Sequence, residues 1–504
     1  MRENHVHDRH ITRRLYASQK YYEEERRRRL EQELLLGIAG TMALQDAGLN
    51  PAVYHLNEGH VAFAALAVLR NLMQKEGLKF DEAKACLAHR VGFTTHTPVP
   101  EGNERFDEGL VRHYLQPYLD EFLSPAEREV IFNCARNRED QFDMTKLSLM
   151  LSGYTTGVSK LHGEVCSKMW GVAWGNFDPE GRGVAIDSIT NSVHVPYWQK
   201  PKLRELILKQ GGLERISSIP DEKIWELHLE FKAKLIDKVR ERVALQLLHE
   251  EQDPQKISEK ARSLLDLDSF IIGFARRFAD YKRVTMLVDD EERLFNFLEA
   301  AYKKYGKPVH ILYAGKPHPN NHSGRDRIKQ IADTAARLEK RCQERGFKGQ
   351  LVFIEGYDID LARYLEAGVD VWLNNPIRPL EASGTSGMKA GMNGVLNISI
   401  SDGWVPEGVV TGQNGWLFGR GDEAFTVSDR DELFKLLEQS VLPVFFDREK
   451  PGDEYSAKWL RMMKNSIESI TAIFNTDRML KEYVEKMYLP AVRPAAQVAN
   501  AKTN

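Results

Sequence analysis

One lysine inside a glycine-rich stretch is the residue of this sequence that most directly suggests chemistry. The stretch runs from residue 379 to 394 and carries Lys389 behind Gly384 and Thr385. An apolar run, residues 369–373, precedes it and predicts a buried strand, and the segment after it can start a helix with a hydroxyl side chain at the cap. Glycines at such a strand-to-helix turn leave backbone N–H groups accessible, and these groups bind phosphate.

The stretch does not match the nucleotide-binding pattern G-x-x-x-x-G-K-[ST]. An amine beside a phosphate site instead suits a Schiff base with pyridoxal 5'-phosphate, whose ring would be attached through Lys389 while the turn holds its phosphate. The residues leave a second interpretation open, a glycine-rich turn that carries a solvated lysine.

A second group of residues with chemical potential lies at residues 275–283. Four cations occur there within eight residues, at the end of an apolar strand where a helix is expected to begin: Arg276, Arg277, Lys282 and Arg283. The N-terminus of a helix favours anions, so cations at this place need an anionic ligand to offset the helix dipole. Guanidinium and ammonium groups therefore predict a second phosphate pocket, with an exposed basic helix start as the alternative.

Polar residues also follow two short strands nearer the start of the chain. Asn57, Glu58 and His60 come after a strand near residue 54, and His96 comes after a strand that starts at Val91. Open α/β sheets place their ligands at the carboxyl ends of strands. A lone histidine is more often structural, but two polar strand ends in consecutive strand-helix units favour a binding site.

These motifs require a sheet to position them, and the second half of the sequence predicts one. From Asp268 onward, apolar strands alternate with helices: strands at 269–274, 309–314, 351–355, 369–373 and 395–400, with helices at about 281–304, 324–345 and 360–367 between them. Continuously apolar strands that alternate with helices are typical of a parallel sheet covered on both faces. The fold class is therefore α/β, with a doubly wound, Rossmann-type domain.

Composition excludes several classes of function. The 504 residues carry a net charge of −3, with 42% hydrophobic and 28% charged residues, so no broad field for nucleic acid or for a membrane surface is expected. The four cysteines form no C-x-x-C pair, which argues against a zinc site and for reduced thiols. The polar first residues and the lack of an apolar run of about 20 residues predict a cytoplasmic protein.

The motifs together resemble one family. HLNEGH (55–60), GFTTHTPVPEGNERF (92–106), GVSKLHGEV (157–165), ITNSVHVPYW (189–198), FARRFADYKR (274–283) and RPLEASGTSGMKAGMNG (378–394) are similar to segments of the α-glucan phosphorylases, in family order. The resemblance is to the short bacterial and archaeal branch of these glycogen and maltodextrin phosphorylases. It implies a GT-B fold, in which two Rossmann-like domains face a crevice.

The resemblance also implies a domain division. An incomplete N-terminal Rossmann-like glucan-binding domain is expected over residues 1–195, and a helical connector over 196–265. A C-terminal Rossmann-like pyridoxal-phosphate domain is expected over 266–450, with C-terminal helices packing back over 451–504.

Roles for single residues follow from the resemblance alone. Lys389 would carry pyridoxal 5'-phosphate, with Gly384, Thr385 and Ser386 around its phosphate. Arg277 and Lys282 would hold the substrate phosphate against it. The glucosyl unit would be hydrogen-bonded by His96, Asn191, Glu381, Ser383 and Gly384.

The reaction implied is a glycosyl transfer, the reversible phosphorolysis of α-1,4-glucan to α-glucose 1-phosphate with retention of configuration. The cofactor phosphate would relay a proton to inorganic phosphate, which protonates the glycosidic oxygen and captures the sugar. Two phosphate dianions side by side repel each other, which accounts for the cations at Arg277 and Lys282.

One departure from the family concerns the start of the chain. The family opens its first domain with strands and a G-G-L-G loop over the substrate phosphate, whereas the resemblance here begins near residues 3–9. The chain alone is therefore expected to be a weak or inactive phosphorylase, with a separate N-terminal chain or a homo-oligomer as its partner. Thr156, where the family usually has asparagine, and residues 17–19, where Gly-Gly-Asp is common, are smaller departures.

Two alternatives remain beside the phosphorylase. A nucleotide-sugar glucan synthase of the same fold has no need of a Schiff-base lysine. A non-catalytic glucan-binding or partner subunit is favoured by the missing N-terminal part.

Overall fold

The computed structural model of the protein describes residues 22–99, 102–174, 186–248, 253–317, 321–450 and 452–492. The predicted features at residues 3–9 and 17–19 lie outside these ranges. The chain divides into two compact units, the first formed by Met1–Thr190 with Met479–Asn504 and the second by Asn191–Arg478. The second unit is continuous in sequence, whereas the first takes in the C-terminal end of the chain.

The first unit contains a small parallel sheet and its covering helices. The strands are β1 (Tyr54–Asn57), β2 (Val91–Thr94), β3 (Arg105–Asp107), β4 (Gln141–Asp143), β5 (Tyr154–Gly157) and β6 (Asp187–Ser188). The helices are α1 (Tyr22–Leu34), α2 (Gly40–Asp46), α3 (Phe63–Gln74), α4 (Phe80–Arg90), α5 (Glu108–Leu119), α6 (Pro125–Ala135), α7 (Met144–Leu151) and α8 (Lys160–Trp174). The parallel sheet has the order β1-β2-β5-β6, and β3 pairs with β4 in a separate antiparallel ribbon.

Helix α3 forms the centre of this unit. Eight of its 12 residues are buried, because its sequence is apolar on nearly every side. A continuous helical segment runs from Tyr22 to Asp46, with a π-helical turn at Leu35–Ala39. A Cβ at Gly37 in that turn would lie 2.7 Å from the backbone nitrogen of Ala64, so glycine is required for this close approach to α3.

The second unit is built on six parallel strands. They are β7 (Phe270–Ala275), β8 (Val309–Ala314), β9 (Gln350–Ile354), β10 (Val371–Asn374), β11 (Leu396–Ser399) and β12 (Gly415–Leu417). The helices are α9 (Val195–Trp198), α10 (Pro201–Lys209), α11 (Asp221–Leu247), α12 (Pro254–Arg262), α13 (Glu291–Tyr305), α14 (His322–Glu344), α15 (Ile359–Gly368), α16 (Ser386–Gly391), α17 (Val405–Gly408), α18 (Thr426–Leu436), α19 (Leu442–Phe446), α20 (Ala457–Ile473) and α21 (Thr476–Tyr483), the last of which continues into the first unit.

The strand order is β12-β11-β10-β7-β8-β9, which is the order of a doubly wound α/β sheet. The two faces bury separate sets of side chains, since Phe270, Ile272 and Phe274 lie in one core cluster while Ile271 and Ala275 lie in another. A strand of this kind must be apolar at every position, which is why its sequence reads as a continuous apolar run. The predicted α/β class with buried parallel strands is confirmed.

The predicted start of one helix of this unit is wrong. The sequence predicts a helix from Tyr281 to Lys304, but the structure has a 3-10 turn at Asp280–Lys282, and α13 starts only at Glu291. Arg283 takes the left-handed conformation, with φ of 46°, which ends helical geometry directly after Lys282. The cations of this motif therefore lie on a loop and not at a helix N-terminus.

Two classes of feature are absent from the described residues. None of their helices is both long and apolar enough to cross a lipid bilayer. No group of three or more histidine, cysteine, aspartate or glutamate side chains in these ranges is arranged to hold a metal ion.

Candidate functional site

The two chemical motifs of the second unit follow neighbouring strands. β7 pairs in parallel with β10, and the strand order reverses between them. The loop after β7 carries Arg276, Arg277 and Lys282, and the loop after β10 leads to Lys389. Parallel strands end at the same edge of a sheet, and this reversal point is where open α/β sheets bind ligands. The topology therefore places both loops at the edge where a site is expected.

A buried ion pair joins these two loops. The ammonium group of Lys282 lies 2.6 Å from Oε2 of Glu381, and the guanidinium group of Arg276 lies 3.4 Å from the same oxygen. All three side chains are at most 10% exposed. Arg277, by contrast, is exposed, and among the described residues its side chain has no hydrogen bond or ion pair. Arg277 is thus the cation of this loop that remains available to a ligand.

For each member of this pair, burial and the neighbouring opposite charge act on the pKa in opposite directions. Burial lowers the pKa of Lys282 to about 8, against the opposing attraction of Glu381. Burial alone would raise the pKa of Glu381, but the charges of Lys282 and Arg276 bring it below the ordinary value. Glu381 is therefore an anion at neutral pH, while Lys282 begins to lose its proton as the pH rises towards 8.

Arg283 fixes the loop after β7. Its guanidinium group donates to the carbonyl oxygens of Asn375 at 2.9 Å and Pro376 at 3.1 Å, and to Asp429 at 2.8 Å. The side chain amide of Asn375 donates in return to the carbonyl oxygen of Arg283 at 2.9 Å. These contacts hold the loop after β7 against the chain that follows β10, so Arg283 positions Lys282 and does not face a ligand.

Residues 402–404 hold the loop that carries Glu381 in place through hydrogen bonds. The backbone N–H of Glu381 donates to Asp402 at 2.9 Å, and the N–H of Trp404 donates to the carbonyl oxygen of Ser383 at 3.0 Å. A Cβ at Gly403 would lie 2.1 Å from that carbonyl oxygen, so only glycine allows the approach. The hydroxyl of Ser383 is buried and has no hydrogen-bond partner within the described part of the chain, which leaves it available to a ligand.

Lys389 lies on the short helix α16 with an aromatic ring and a carboxyl group as neighbours. Its ammonium nitrogen lies 3.6 Å from the centre of the Trp198 ring and 3.7 Å from a carboxylate oxygen of Glu366. Its side chain is 17% exposed. At the start of α16, the hydroxyl of Ser386 accepts from the indole N–H of Trp372 at 3.0 Å. The hydroxyl of Thr385 makes no capping hydrogen bond.

In the first unit, Glu58 joins the ends of β1 and β2. It has a φ of 73°, an unusual conformation for a residue other than glycine, and its carboxylate accepts from the hydroxyl of Thr97 at 3.0 Å and from the backbone N–H of His96. The ring of His96 contacts Asn57 at 2.6 Å. Burial lowers the pKa of His96, so its imidazole is neutral at pH 7.

Comparison with known proteins places these observations in a family. A model of the carbohydrate phosphorylases matches residues 1–436. A maltodextrin phosphorylase of Thermococcus litoralis is 38% identical over 493 residues, which cover 94% of this chain and 55% of the relative. A glycogen phosphorylase of Aquifex aeolicus is 36% identical over 96% of this chain and 68% of its own length, and one of Mycobacterium tuberculosis is 33% identical over 99% and 58%.

The chain belongs to the carbohydrate phosphorylase family. It spans a little more than half to two thirds of the length of the relatives named here. The predicted family resemblance is confirmed.

The structure brings some of the predicted site residues of this phosphorylase-family chain together within one unit. Lys282 and Glu381 are in contact, although their predicted ligands differ, a phosphate for the first and a sugar for the second. Gly384 has a φ of 73°, which glycine adopts without strain, and it follows Ser383 in the same loop. Asn191 lies at the start of the second unit, where its carbonyl oxygen accepts from Arg478 at 3.4 Å. His96 belongs to the first unit.

Three residues around this site have no individual role in the sequence prediction, although Arg276 is one of the four cations of the predicted phosphate pocket. Arg276 adjoins Arg277 in the same motif, and the sequence gives no sign of which of the two points inward. Asp402 follows a strand as the other polar motifs do, and this position could have indicated a residue of the site. Glu366 lies in the sequence of an ordinary amphipathic helix, so no pattern distinguishes it.

Proposed function

We propose that the chain catalyses the reversible phosphorolysis of α-1,4-glucan, releasing α-glucose 1-phosphate with retention of configuration and using pyridoxal 5'-phosphate. The observation that supports this most is the position of the two loops after β7 and β10 at the reversal point of the sheet. One loop supplies buried and exposed cations, and the other supplies a lysine at a glycine-rich turn. The names of the relatives, glycogen and maltodextrin phosphorylases, agree with this reaction.

The residues present fit the cofactor. Lys389 is a partly exposed amine beside an aromatic ring, and Thr385 has a hydroxyl that caps no helix. In our proposal Lys389 holds the aldehyde carbon, and Gly384, Thr385 and Ser386 surround the phosphate. When bound, the cofactor supplies a phosphate group that exchanges a proton with the substrate phosphate.

The protein's own residues bind and orient the substrates. Arg277, exposed, and Lys282, buried, hold inorganic phosphate, since paired cations lower the repulsion between two phosphate dianions. Binding of phosphate draws Lys282 from its pair with Glu381, and Glu381 then accepts hydrogen bonds from the sugar hydroxyls. His96, Asn191, Ser383 and Gly384 are the further residues proposed to bind the glucosyl unit. The GT-B architecture and a second chain or homo-oligomer as partner are proposed on the family resemblance, and the cytoplasmic location is proposed on the composition of the sequence.

Two measurements test the proposal. The purified chain is incubated with pyridoxal 5'-phosphate and reduced with borohydride, and the modified peptide is identified by mass. Modification at Lys389, absent from Lys389→Ala, is expected. Release of glucose 1-phosphate from maltodextrin and phosphate is then assayed, with a nucleotide-sugar donor tested in parallel for glucan synthesis.

The assay is run on the chain alone and with the part of the Thermococcus relative that this chain does not match supplied as a separate polypeptide, because the chain covers 55% of that relative. Glucan synthesis from the nucleotide sugar, or a chain that never reacts with the cofactor in either arrangement, contradicts the proposal.

A further inference from the structure

The carboxyl group of Glu366 is buried beside Lys389 without a hydrogen bond. The residue lies on α15 and is 1% exposed, and neither of its carboxylate oxygens has a hydrogen-bond partner among the described residues. The ammonium nitrogen of Lys389 lies 3.7 Å from one oxygen, within the range of an ion pair but longer than a hydrogen bond. A buried carboxyl group without partners is costly, so its position calls for a reason beyond packing.

The surrounding chain holds Lys389 in place next to this group. The side chain amide of Asn393 donates to the carbonyl oxygens of Lys389 at 2.8 Å and Trp198 at 2.9 Å, which keeps the Trp198 ring near the amine. Asn393 also accepts from the backbone N–H of Lys200 at 2.8 Å. Burial raises the pKa of Glu366 to about 8, although the charges of Lys389 and Lys200 oppose the rise. Near neutral pH, a carboxyl group with this pKa is most stable in its protonated form, so it retains a proton once it has accepted one.

We propose that Glu366 is the proton acceptor for Lys389 when the lysine joins the aldehyde of pyridoxal 5'-phosphate, an inference that rests on the proposed function. Only the free amine attacks an aldehyde, so the ammonium group must first lose a proton. Glu366 takes that proton and becomes a neutral carboxylic acid. The amine nitrogen then forms a double bond to the aldehyde carbon, and the aldehyde oxygen leaves as water with the two remaining amine protons.

The composition of the site supports this assignment. Glu366 is the carboxylate that ion-pairs with Lys389 among the described residues, and Lys200, the other charge that acts on Glu366, is a cation and cannot accept a proton. Transfer between the two side chains also removes both charges from a buried place. Desolvation therefore favours the neutral pair that the reaction needs.

The rate of covalent attachment tests the inference without an activity assay. The full chain, prepared free of cofactor, is mixed with pyridoxal 5'-phosphate at pH 7, sampled over time into borohydride, and the Lys389 peptide is quantified by mass. Loss of a positioned base costs about 100-fold in rate, so Glu366→Gln is expected to slow attachment by this order. The deficit should shrink as the pH rises, because hydroxide then removes the proton. Glu355→Gln, an exposed glutamate of the same unit, is the matched control and should leave the rate unchanged.

Two further variants separate proton transfer from packing. Glu366→Leu should match Glu366→Gln, and Glu366→Asp should keep the pH profile of the unaltered protein, with circular dichroism showing that each variant is folded. Attachment by Glu366→Gln at the normal rate or faster overturns the inference, as does a defect confined to Glu366→Leu. If the unaltered protein forms no reducible link with the cofactor, both the proposed function and this inference fail. If the unaltered protein forms the link and the Glu366 variants form it equally fast, only this inference fails.

Discussion

Lys282 and Glu381 form an ion pair whose members are meant, in our proposal, to bind different substrates. Both charges of such a pair are removed from water, and the attraction between them offsets the desolvation cost of each until a ligand replaces one partner. The arrangement prepares the site before the substrate arrives, because neither side chain has to be carried in from solvent. It also predicts that removal of one partner harms the protein more than removal of both.

A mutant cycle on this pair measures that difference. Lys282→Met leaves Glu381 with Arg276 alone at 3.4 Å, and we expect a loss of about 3–5 kcal/mol in the free energy of unfolding. Adding Glu381→Gln should restore part of this loss, with a coupling of about 1–3 kcal/mol. Denaturant unfolding at pH 7 provides the values. Lys307→Met, which breaks an exposed pair with Asp268, serves as the control and should cost less than about 1 kcal/mol. Additive losses at positions 282 and 381 would contradict the account.

His310 is a buried residue for which the structure offers no partner. It lies in β8, is 1% exposed, and neither ring nitrogen has a hydrogen bond among the described residues, while burial lowers its pKa to about 3. An unsatisfied buried polar group costs about 1–3 kcal/mol, so His310→Leu should raise the free energy of unfolding by this amount. Chemical denaturation checks it, with the exposed His322→Leu expected to change stability by less than about 0.5 kcal/mol. A destabilised His310→Leu protein would mean that the ring has a role we have not described.

Asp370 links the long helix α11 to the sheet. Asp370, at the start of β10, accepts from Lys232 at 2.7 Å, from His228 at 2.9 Å and from the backbone N–H of Ile271 in β7 at 2.7 Å. The carboxylate thus joins a helix and the two strands that carry the candidate site. Burial alone would raise its pKa, but Lys232 and His228 bring it below the ordinary value.

Asp370→Asn is therefore expected to cost about 3–5 kcal/mol, because it leaves the Lys232 charge buried without its counter-ion. The pKa of Asp370 is lowered on folding, so its contribution is complete above the unfolded pKa of about 3.9 and is lost as the pH falls through the folded value. The variant should flatten the acid side of the stability curve below about pH 4. Thermal unfolding across pH 2–7 is the measurement, and Asp360→Asn, at an exposed pair with Lys238, is the control. Equal acid slopes in both variants would refute this role.

The sequence could predict features that depend on residues close together in the chain, but not features that depend on contacts between residues distant in sequence. A continuous apolar run such as residues 270–274 predicts a buried strand, because a strand that is buried on both faces has little place for polar side chains. The motif around Lys389 was recognisable because its residue types are local. The left-handed turn at Arg283 was not, since it is stabilised by Asn375 and Asp429, which are distant in sequence. Glu366 stayed hidden for the same reason.

The association of the C-terminal segment with the first unit also could not be predicted from local sequence patterns. An amphipathic helix shows that it has an apolar face but not which core receives it. Residues from Met479 onward belong to the first unit, where Tyr483 and Met487 are buried. The hydroxyl of Tyr488 contacts His55 in β1 at 2.9 Å, and the other ring nitrogen of His55 contacts Thr94 in β2 at 2.7 Å.

Shortening the chain after Arg478 should therefore weaken the first unit selectively. The deletion removes Tyr483 and Met487 from its core, which we expect to cost about 1.5–3 kcal/mol each. Hydrogen exchange followed by mass spectrometry should show lost protection in β1, β2 and α3, with unchanged protection in β7 and β10. Leu480→Ala, at an exposed position of the same segment, is the control. Uniform loss of protection in both units, or none in either, would contradict the division of the molecule.

Acid should have the same selective effect through His55. Burial lowers its pKa to about 4, so the folded first unit keeps the ring neutral while the unfolded chain takes up a proton below about pH 6.5. Stability is therefore complete above pH 6.5 and falls as the pH drops towards 4, by up to about 3 kcal/mol from this ring. Hydrogen exchange at pH 7 and pH 5 should show a loss of protection in β1 and β2 that is smaller in His55→Gln, since glutamine does not titrate. An acid response of the same size in that variant would assign the effect to another group, because only the titration of His55 separates the two proteins.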